Sequence, residues 1–209
     1  MLVRDVMNHP VITIETGTSL QEANDLMWQQ GVRHLPVMEH GRLVGIVTDR
    51  DLRISTSEFA PMPYSPQARV EEVMTAPVLT ADPLDPVEEA AKVMRDRRIG
   101  CLPVVEGREL VGIITGIDLL DSLVMMTGAR LPSGRIEVRL PDHPGQLAKL
   151  TQFFADRSVN IHSLLTYPDD DCCVRNVLRV DSLETRRLAG ELRQAGFEVI
   201  WPPEKPWSR

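Results

Sequence analysis

Two short segments of the sequence place a hydroxyl and a carboxylate three positions apart, directly after an apolar run. The first holds Thr48 and Asp51, and the second, 67 positions later, holds Thr115 and Asp118. An apolar strand that opens into a Thr-capped helix presents unpaired backbone N–H groups, which attract an anion such as phosphate. An Asp in the first turn can accept hydrogen bonds from both hydroxyls of a sugar diol. The spacing therefore indicates a pair of nucleotide sites.

A purely structural explanation of the same residues stays open. Thr48 and Thr115 would cap their helices, each stabilising its helix by about 1 kcal/mol, and each Asp would interact favourably with the helix dipole. A cap needs the Thr, but it does not by itself need an Asp three residues later. We therefore favour nucleotide binding and keep capping as the alternative.

The two segments belong to an internal repeat. A shift of 67 residues aligns Leu35-Pro36-Val37 with Leu102-Pro103-Val104 and Gly45 with Gly112, without insertion or deletion. Each copy is predicted to fold as β-α-β-β-α, with first strands at 11–14 and 78–80. A unit of about fifty residues buries little surface, so we expect the copies to pack face to face. We place them at residues 1–56 and 70–126, joined by a Pro- and Ser-rich linker at 57–69.

The pattern changes after a flexible segment at residues 127–134. From 135 to 203 the predicted order is βαββαβ, which is typical of the ferredoxin-like arrangement. The strands are predicted at 135–140, 160–167, 172–180 and 197–201, and the helices at 146–155 and 183–195. A tail at 204–209 is expected to be loose. The fold class is therefore α+β.

The Gly, Thr and Asp of each copy, with a Leu-Pro pair upstream, resemble the motif of the CBS domain family, whose tandem pair forms a Bateman module. The resemblance implies adenosine-containing ligands in clefts between the repeats: AMP, ADP, ATP or S-adenosylmethionine as regulatory ligand, with no cofactor required. It also implies that each Asp holds ribose, each Thr faces phosphate, and the backbone near 11–13 and 78–80 meets the base. The candidate nucleotide-binding residues are Val11, Ile12, Thr13, Arg33, His34, Pro36, Thr48, Arg50, Asp51, Val78, Leu79, Thr80, Pro103, Thr115 and Asp118.

The two copies differ in charge near the motif. Arg50 aligns with Ile117, and Arg33-His34 aligns with Gly100-Cys101. A guanidinium binds phosphate bidentately, so we predict inequivalent sites and expect a phosphorylated ligand at the Asp51 half. The alternative is that the arginines are ordinary surface charges and that His34 serves packing or hydrogen bonding.

The last third of the chain resembles the ACT domain family at Asp142-His-Pro-Gly145 and Val159-Asn160-Ile161. The resemblance implies amino-acid binding, often across a dimer interface where two sheets join side by side. The alternative is structural, since Pro near a helix start and Asn in a turn are common. We expect dimerisation first and amino-acid sensing second. The candidate amino-acid-binding residues are Asp142, Gly145, Gln146, Asn160 and Ile161.

Composition argues against several other classes. A formal charge of -7 is unlike that of a general nucleic-acid binder, and no run reaches the roughly 18 apolar residues of a membrane span. The three cysteines lack CxxC spacing, which predicts reduced thiols, a cytoplasmic location and no metal site. Adjacent Cys172 and Cys173 would point to opposite faces of a strand, so thiol packing is expected there.

The succession of two CBS repeats and one ACT domain resembles the acetoin-utilisation accessory protein group. The sequence shows no nucleophile–base pair, paired carboxylates or phosphate-binding Gly-rich loop, so we do not expect an enzyme. The leading hypothesis is a homodimeric regulator that senses adenosine nucleotides and passes its state to a protein partner that the sequence does not identify. The alternative is a structural dimerisation adaptor without a nucleotide ligand.

Overall fold

The computed structural model describes residues 1–204, and the expected loose tail therefore lies outside the described residues except for Glu204. The chain divides into two compact units, Met1–Ser122 and the residues from Leu123 onwards. The first unit and its final helix comprise β1 (Ile14–Glu15), α1 (Leu20–Gln30), β2 (His34–Glu39), β3 (Arg42–Thr48), α2 (Asp49–Ser55), α3 (Val87–Arg97), β4 (Cys101–Glu106), β5 (Glu109–Thr115) and α4 (Gly116–Met126).

The first strand of each repeat is shorter than the sequence pattern predicts. β1 contains only Ile14 and Glu15, paired in parallel with β2. In the second repeat, residues 78–80 form no strand, and a single bridge joins Ala81 to Val104. The predicted strands at 11–14 and 78–80 were therefore wrong in extent. The chain diverges from the neighbouring strand at these positions, so the sheet does not hold the backbone of residues 11–13.

The two repeats exchange their leading segments. Val3, from the start of the first repeat, is fully buried in the core of the second, beside Leu102 and Ile114. Val70, from the start of the second repeat, is fully buried in the core of the first, beside Leu35. Backbone hydrogen bonds from Val3 to Asp85 and from Val70 to Thr18, each 2.9 Å, fix both segments. Neither repeat completes its own core, as expected for units of this size.

The repeated glycines contact methionines of the opposite repeat. A side chain at Gly45 would meet the sulfur of Met74, and one at Gly112 would meet the sulfur of Met7. Both glycines are buried within β3 and β5. Glycine at these positions makes room for an unbranched methionine that fills the space above the strand.

The second unit has the predicted βαββαβ order, and its fold class is confirmed. It comprises β6 (Gly134–Pro141), α5 (Gln146–Ala155), β7 (Ile161–Asp170), β8 (Cys173–Val180), α6 (Thr185–Gln194) and β9 (Glu198–Trp201). The antiparallel sheet has the order β7-β8-β6-β9. One sheet face and the two helices bury an aliphatic and aromatic core that includes Ile136, Phe154, Leu178 and Leu192.

Candidate ligand site

Thr48 and Asp51 form a capping box at the start of α2. Oδ2 of Asp51 accepts hydrogen bonds from the backbone N–H of Thr48 at 2.9 Å and from its hydroxyl at 2.7 Å. The hydroxyl in turn accepts from the backbone N–H of Asp51 at 3.2 Å. The capping alternative is thus realised, and it accounts for the Asp as well as the Thr. The three-residue spacing alone does not require a ligand.

The second repeat makes the same contacts and adds one more. Oδ2 of Asp118 accepts from the backbone N–H and the hydroxyl of Thr115, both at 2.7 Å. It also accepts from Nδ2 of Asn8 at 2.8 Å. No protein hydrogen bond to Oδ1 of Asp118 is found among residues 1–204, so one oxygen of a firmly oriented carboxylate is available to a ligand.

Asp118 lies in the wall of a cavity of about 810 Å³ that both repeats build. The first repeat contributes the diverging chain at residues 8–12 and the turn at 31–34 that joins α1 to β2. The second contributes residues 113 and 115–118 around the start of α4. The segment at residues 8–12 is placed by the exchange, since Asn8 and Ile113 share two backbone hydrogen bonds of 2.9 and 3.1 Å.

The cavity has an apolar and a charged part. Val11, Ile12 and Ile113 supply aliphatic surface. Arg33, which is exposed, supplies a positive charge, and Asp118 supplies a negative one. A volume of about 810 Å³ lies within the ordinary range of roughly 300–1,000 Å³ for small-molecule sites. The arrangement suits a ligand that combines an apolar ring, hydroxyl groups and a charged group.

The structure gathers only part of the predicted nucleotide set at this cavity. Val11, Ile12, Arg33, His34, Thr115 and Asp118 line it. Pro36 and Pro103 are instead buried within β2 and β4, and Arg50 lines a separate cavity with Phe59 and Pro61. Thr13, Thr48, Asp51, Val78, Leu79 and Thr80 do not line the 810 Å³ cavity.

Arg33 and His34 differ from expectation in their placement. Sequence alignment assigned them to the Asp51 half, but they face the cavity that contains Asp118. Gly100 lies opposite His34, where an added Cβ would stand 2.8 Å from the ring Nε2. Burial, followed by the charge of Arg33, lowers the pKa of His34, while Asp49 and Asp51 oppose the shift. Gly100, the residue that aligns with Arg33, therefore leaves room for the His34 ring of the other repeat.

Asn8 is the functional candidate that the sequence did not reveal. It follows Met7 in the repeat and aligns with Thr75, a residue of different chemistry. The one sequence feature that could have drawn attention to Asn8 is this difference from the aligned residue of the other repeat. The contact with Asp118 arises from the exchanged packing, which no local pattern encodes.

The predicted amino-acid site does not assemble within one chain. Asp142 follows the end of β6 that pairs with Cys173, whereas Ile161 pairs with Val180 at the other end of β8. About seven strand residues, or about 23 Å, separate these ends. Asn160 uses its backbone N–H and C=O to bind Asp181 at 3.0 and 3.1 Å. Gly145 caps α5 with a φ of 91°, and Gln146 contacts the His143 ring at 3.1 Å.

The two adjacent cysteines do not point to opposite faces, and that prediction was wrong. Cys172 lies in the turn before β8 rather than in the strand, which turns its sulfur to within 3.1 Å of the Cys173 sulfur. Hydrogen bonds to Cys173 and to the carboxylate of Asp170, which accepts at 3.1 Å, raise the pKa of the Cys172 thiol to about 12. Cys101 is separate and buried, and burial raises its pKa to about 12.

The fold and the composite cavity define a module of two tandem repeats followed by a separate α+β unit, and comparison with known families agrees. The CBS domain model matches residues 3–56 and 70–125, and the ACT domain model matches residues 134–196. The chain therefore belongs to the CBS domain family and carries a C-terminal ACT domain.

Several relatives share the CBS pair. A CBS domain-containing protein of Dictyostelium discoideum is 36% identical over 133 residues, which cover 59% of this chain and 92% of the relative. L-aspartate semialdehyde sulfurtransferase of Methanocaldococcus jannaschii is 35% identical over 120 residues, 56% of this chain but only 22% of the enzyme. The homoserine O-acetyltransferase of Methanococcoides burtonii is 42% identical, over 56% of this chain and 23% of the enzyme. The chain thus spans less than a quarter of these two enzymes.

Two solved structures are informative neighbours. The CBS domain pair of protein MJ0100, in complex with 5′-methylthioadenosine and S-adenosyl-L-methionine, has a TM-score of 0.53 and 34% identity over 59% of this chain and 95% of that chain. A Vibrio cholerae protein assigned to acetoin utilization has a TM-score of 0.53 and 32% identity over 63% of this chain and 98% of that chain. The second neighbour supports the resemblance to the acetoin-utilisation group. Within residues 1–204, no helix is long and apolar enough to cross a membrane.

Proposed function

We propose that this protein is a regulator that binds an adenosine-containing ligand in the cavity beside Asp118. The observation that carries the proposal is the oriented carboxylate of Asp118, with one oxygen available, in a cavity that both repeats build. The CBS pair of protein MJ0100 was solved in complex with methylthioadenosine and S-adenosylmethionine. That complex supports an adenosine compound as the ligand class here. The proposal assigns a regulatory rather than a catalytic role, since the sulfurtransferase and acetyltransferase relatives share at most 25% of their length with this chain.

The proposed pose follows from the lining. The ribose hydroxyls donate to Oδ1 of Asp118, because an ionised carboxylate accepts from a diol more strongly than a neutral group does. The base lies against Val11, Ile12 and Ile113. A charged group on the ligand reaches Arg33. A ligand shifts the equilibrium between two arrangements of the repeats only if it binds one of them better, and closure of the cavity by both repeats provides that difference.

Calorimetry of the full chain with AMP, ADP, ATP, S-adenosylmethionine and methylthioadenosine tests the proposal. Asp118→Ala should lower the affinity about tenfold or more, since a hydrogen bond to a charged group contributes about 1.5–3 kcal/mol. Asp51→Ala is the matched control, because it removes the same type of capping box outside the cavity. Absence of binding for all five compounds, or equal losses in the two variants, would contradict the proposal.

A comparison of two ligands tests whether Arg33 contacts the charged group. Arg33→Gln should weaken AMP, which carries a phosphate, and leave methylthioadenosine, which carries no charged group, almost unchanged. Arg50→Gln is the control, because Arg50 lies outside this cavity. Equal effects of Arg33→Gln on both ligands would show that Arg33 does not contact the charged group.

The ACT domain supports a second role, formation of a homodimer. β7 is an edge strand of ten residues, of which residues 165–170 are exposed, including Leu165 and Tyr167. An edge of this length can pair with another strand. Light scattering of the full chain tests the dimer, and Leu165→Lys should shift it towards the monomer, because a charge on the exposed part of an edge strand opposes pairing with another strand. A monomer at all concentrations would exclude both the dimer and the adaptor hypothesis.

Amino-acid sensing stays a proposal that depends on this dimer. Since Asp142 and Asn160 lie at opposite ends of the sheet, a single site that used both would need a second chain. Calorimetry with a panel of amino acids tests the idea, with Asp142→Ala as the variant. If no amino acid of the panel binds, dimerisation is left as the role of the ACT domain. A cytoplasmic location and a protein partner stay predictions.

A further inference from the structure

The β7–β8 hairpin carries, at its turn, three side chains of types that can ligate a metal ion. β7 ends at Asp170 and β8 begins at Cys173, so Asp171 and Cys172 make a two-residue connection. A carboxylate oxygen of Asp170 and the sulfurs of Cys172 and Cys173 all lie within 4.8 Å of one another. Cys172 is exposed, which gives an ion direct access from solvent.

The spacing of these atoms fits one cation. Sulfur ligands lie about 2.3 Å and carboxylate oxygens about 2.0–2.2 Å from Zn²⁺. Two sulfurs at a tetrahedral angle on such an ion are about 3.8 Å apart. The Cys172 and Cys173 sulfurs are 3.1 Å apart, so a shift of less than about 1 Å brings them to that geometry.

The carboxylate is held so that one oxygen faces the thiols. Oδ1 of Asp170 accepts from the Cys172 backbone N–H at 3.0 Å and from its thiol at 3.1 Å. Oδ2 is ion-paired to Arg139. Arg139 also binds Asp169 at 2.7 Å and Glu198 at 3.2 Å, which ties the turn to β6 and β9. Fixed outer partners of this kind orient metal ligands and strengthen binding.

We propose that Asp170, Cys172 and Cys173 form a binding site for a thiophilic divalent cation of the Zn²⁺ type. Two thiolates and one carboxylate favour Zn²⁺ or Cd²⁺ over Mg²⁺ and Ca²⁺, which prefer oxygen ligands. Each sulfur bonds to the cation as its thiol proton passes to solvent, without any change of oxidation state. Three protein ligands leave the fourth tetrahedral position to water or another donor.

Titration of the reduced full chain with Cd²⁺ tests the site, because thiolate coordination gives a charge-transfer absorption in the ultraviolet. Cys172→Ala and Cys173→Ala should each abolish or strongly reduce this absorption. Cys101→Ala is the matched control, since Cys101 is a buried thiol in the first unit. Arg139→Gln should weaken the affinity about tenfold while retaining the absorption at saturation, as expected for an outer partner.

Three outcomes would overturn the assignment. The first is no charge-transfer absorption in the wild-type chain, and the second is absorption that persists in Cys172→Ala. The third is a chain that does not bind Cd²⁺ but loses the mass of two hydrogens on air oxidation. That result would assign Cys172 and Cys173 to a disulfide instead. Circular dichroism of each variant shows that the comparison is made between folded proteins.

Discussion

Nδ2 of Asn8 donates a hydrogen bond to Oδ2 of Asp118 at 2.8 Å, across 110 positions of the chain. The contact joins the exchanged leading segment of the first repeat to the helix start of the second. It also distinguishes the Asp118 half from the Asp51 half, where the aligned residue is Thr75.

Asn8→Ala should weaken the adenosine ligand about fivefold, because the loss of a hydrogen bond of about 1 kcal/mol leaves Asp118 less firmly oriented. Calorimetry measures the change. Thr75→Ala, at the aligned position of the other repeat, should leave the affinity unchanged. Equal affinities of wild type and Asn8→Ala would show that the cap alone orients Asp118.

Thr48→Ala should lower the free energy of unfolding by about 1 kcal/mol, because it removes the two hydrogen bonds that the Thr48 hydroxyl makes in the capping box. Urea unfolding followed by circular dichroism measures the loss. Thr48→Ser keeps the hydroxyl and should recover most of the stability. Failure of serine to do so would assign the effect to the Thr methyl group rather than to the cap.

Two glycines of the second unit should respond in opposite directions to alanine. A Cβ at Gly134 would collide with the backbone oxygen of Ser182 and with Thr185, so Gly134→Ala should destabilise by about 1–3 kcal/mol. Gly190 lies inside α6, and a Cβ added there would meet no neighbouring atom within 4 Å. Gly190→Ala should therefore stabilise by about 0.5–1 kcal/mol, since glycine is a poor helix former. Thermal unfolding of both variants checks the pair, and equal shifts would contradict the packing at Gly134.

Stability should fall as the pH drops below the ordinary His34 pKa of 6.5. Burial, then Arg33, lowers this pKa in the folded chain, against the opposing charges of Asp49 and Asp51. Between the folded and unfolded pKa values the unfolded state binds more protons, so the free energy of unfolding rises with pH there. Urea unfolding above and below pH 6.5 should show a smaller pH dependence in His34→Gln than in wild type. An unchanged dependence would assign the effect to other groups.

The sequence predicted most of the local structure. The helix at 146–155 and the βαββαβ order of the second unit are observed as predicted, because apolar periodicity and turn residues act over a few positions. The early strands failed at residues 11–13 and 78–80, where the chain leaves the sheet. The turn position of Cys172 was also missed. The predicted strands left a gap at 168–171, whereas β7 extends to Asp170 and the turn consists of Asp171 and Cys172.

The sequence by itself determined that two equivalent units exist and that each carries a Thr and an Asp at a helix start. Only the tertiary structure decided which parts of those units meet. The exchange of Val3 and Val70 between the cores, and with it the contact between Asn8 and Asp118, joins segments that lie far apart along the chain. Such contacts are selected by the burial of complementary apolar surfaces in the whole fold, and a repeat pattern is the same whether its segments pack within their own copy or in the other.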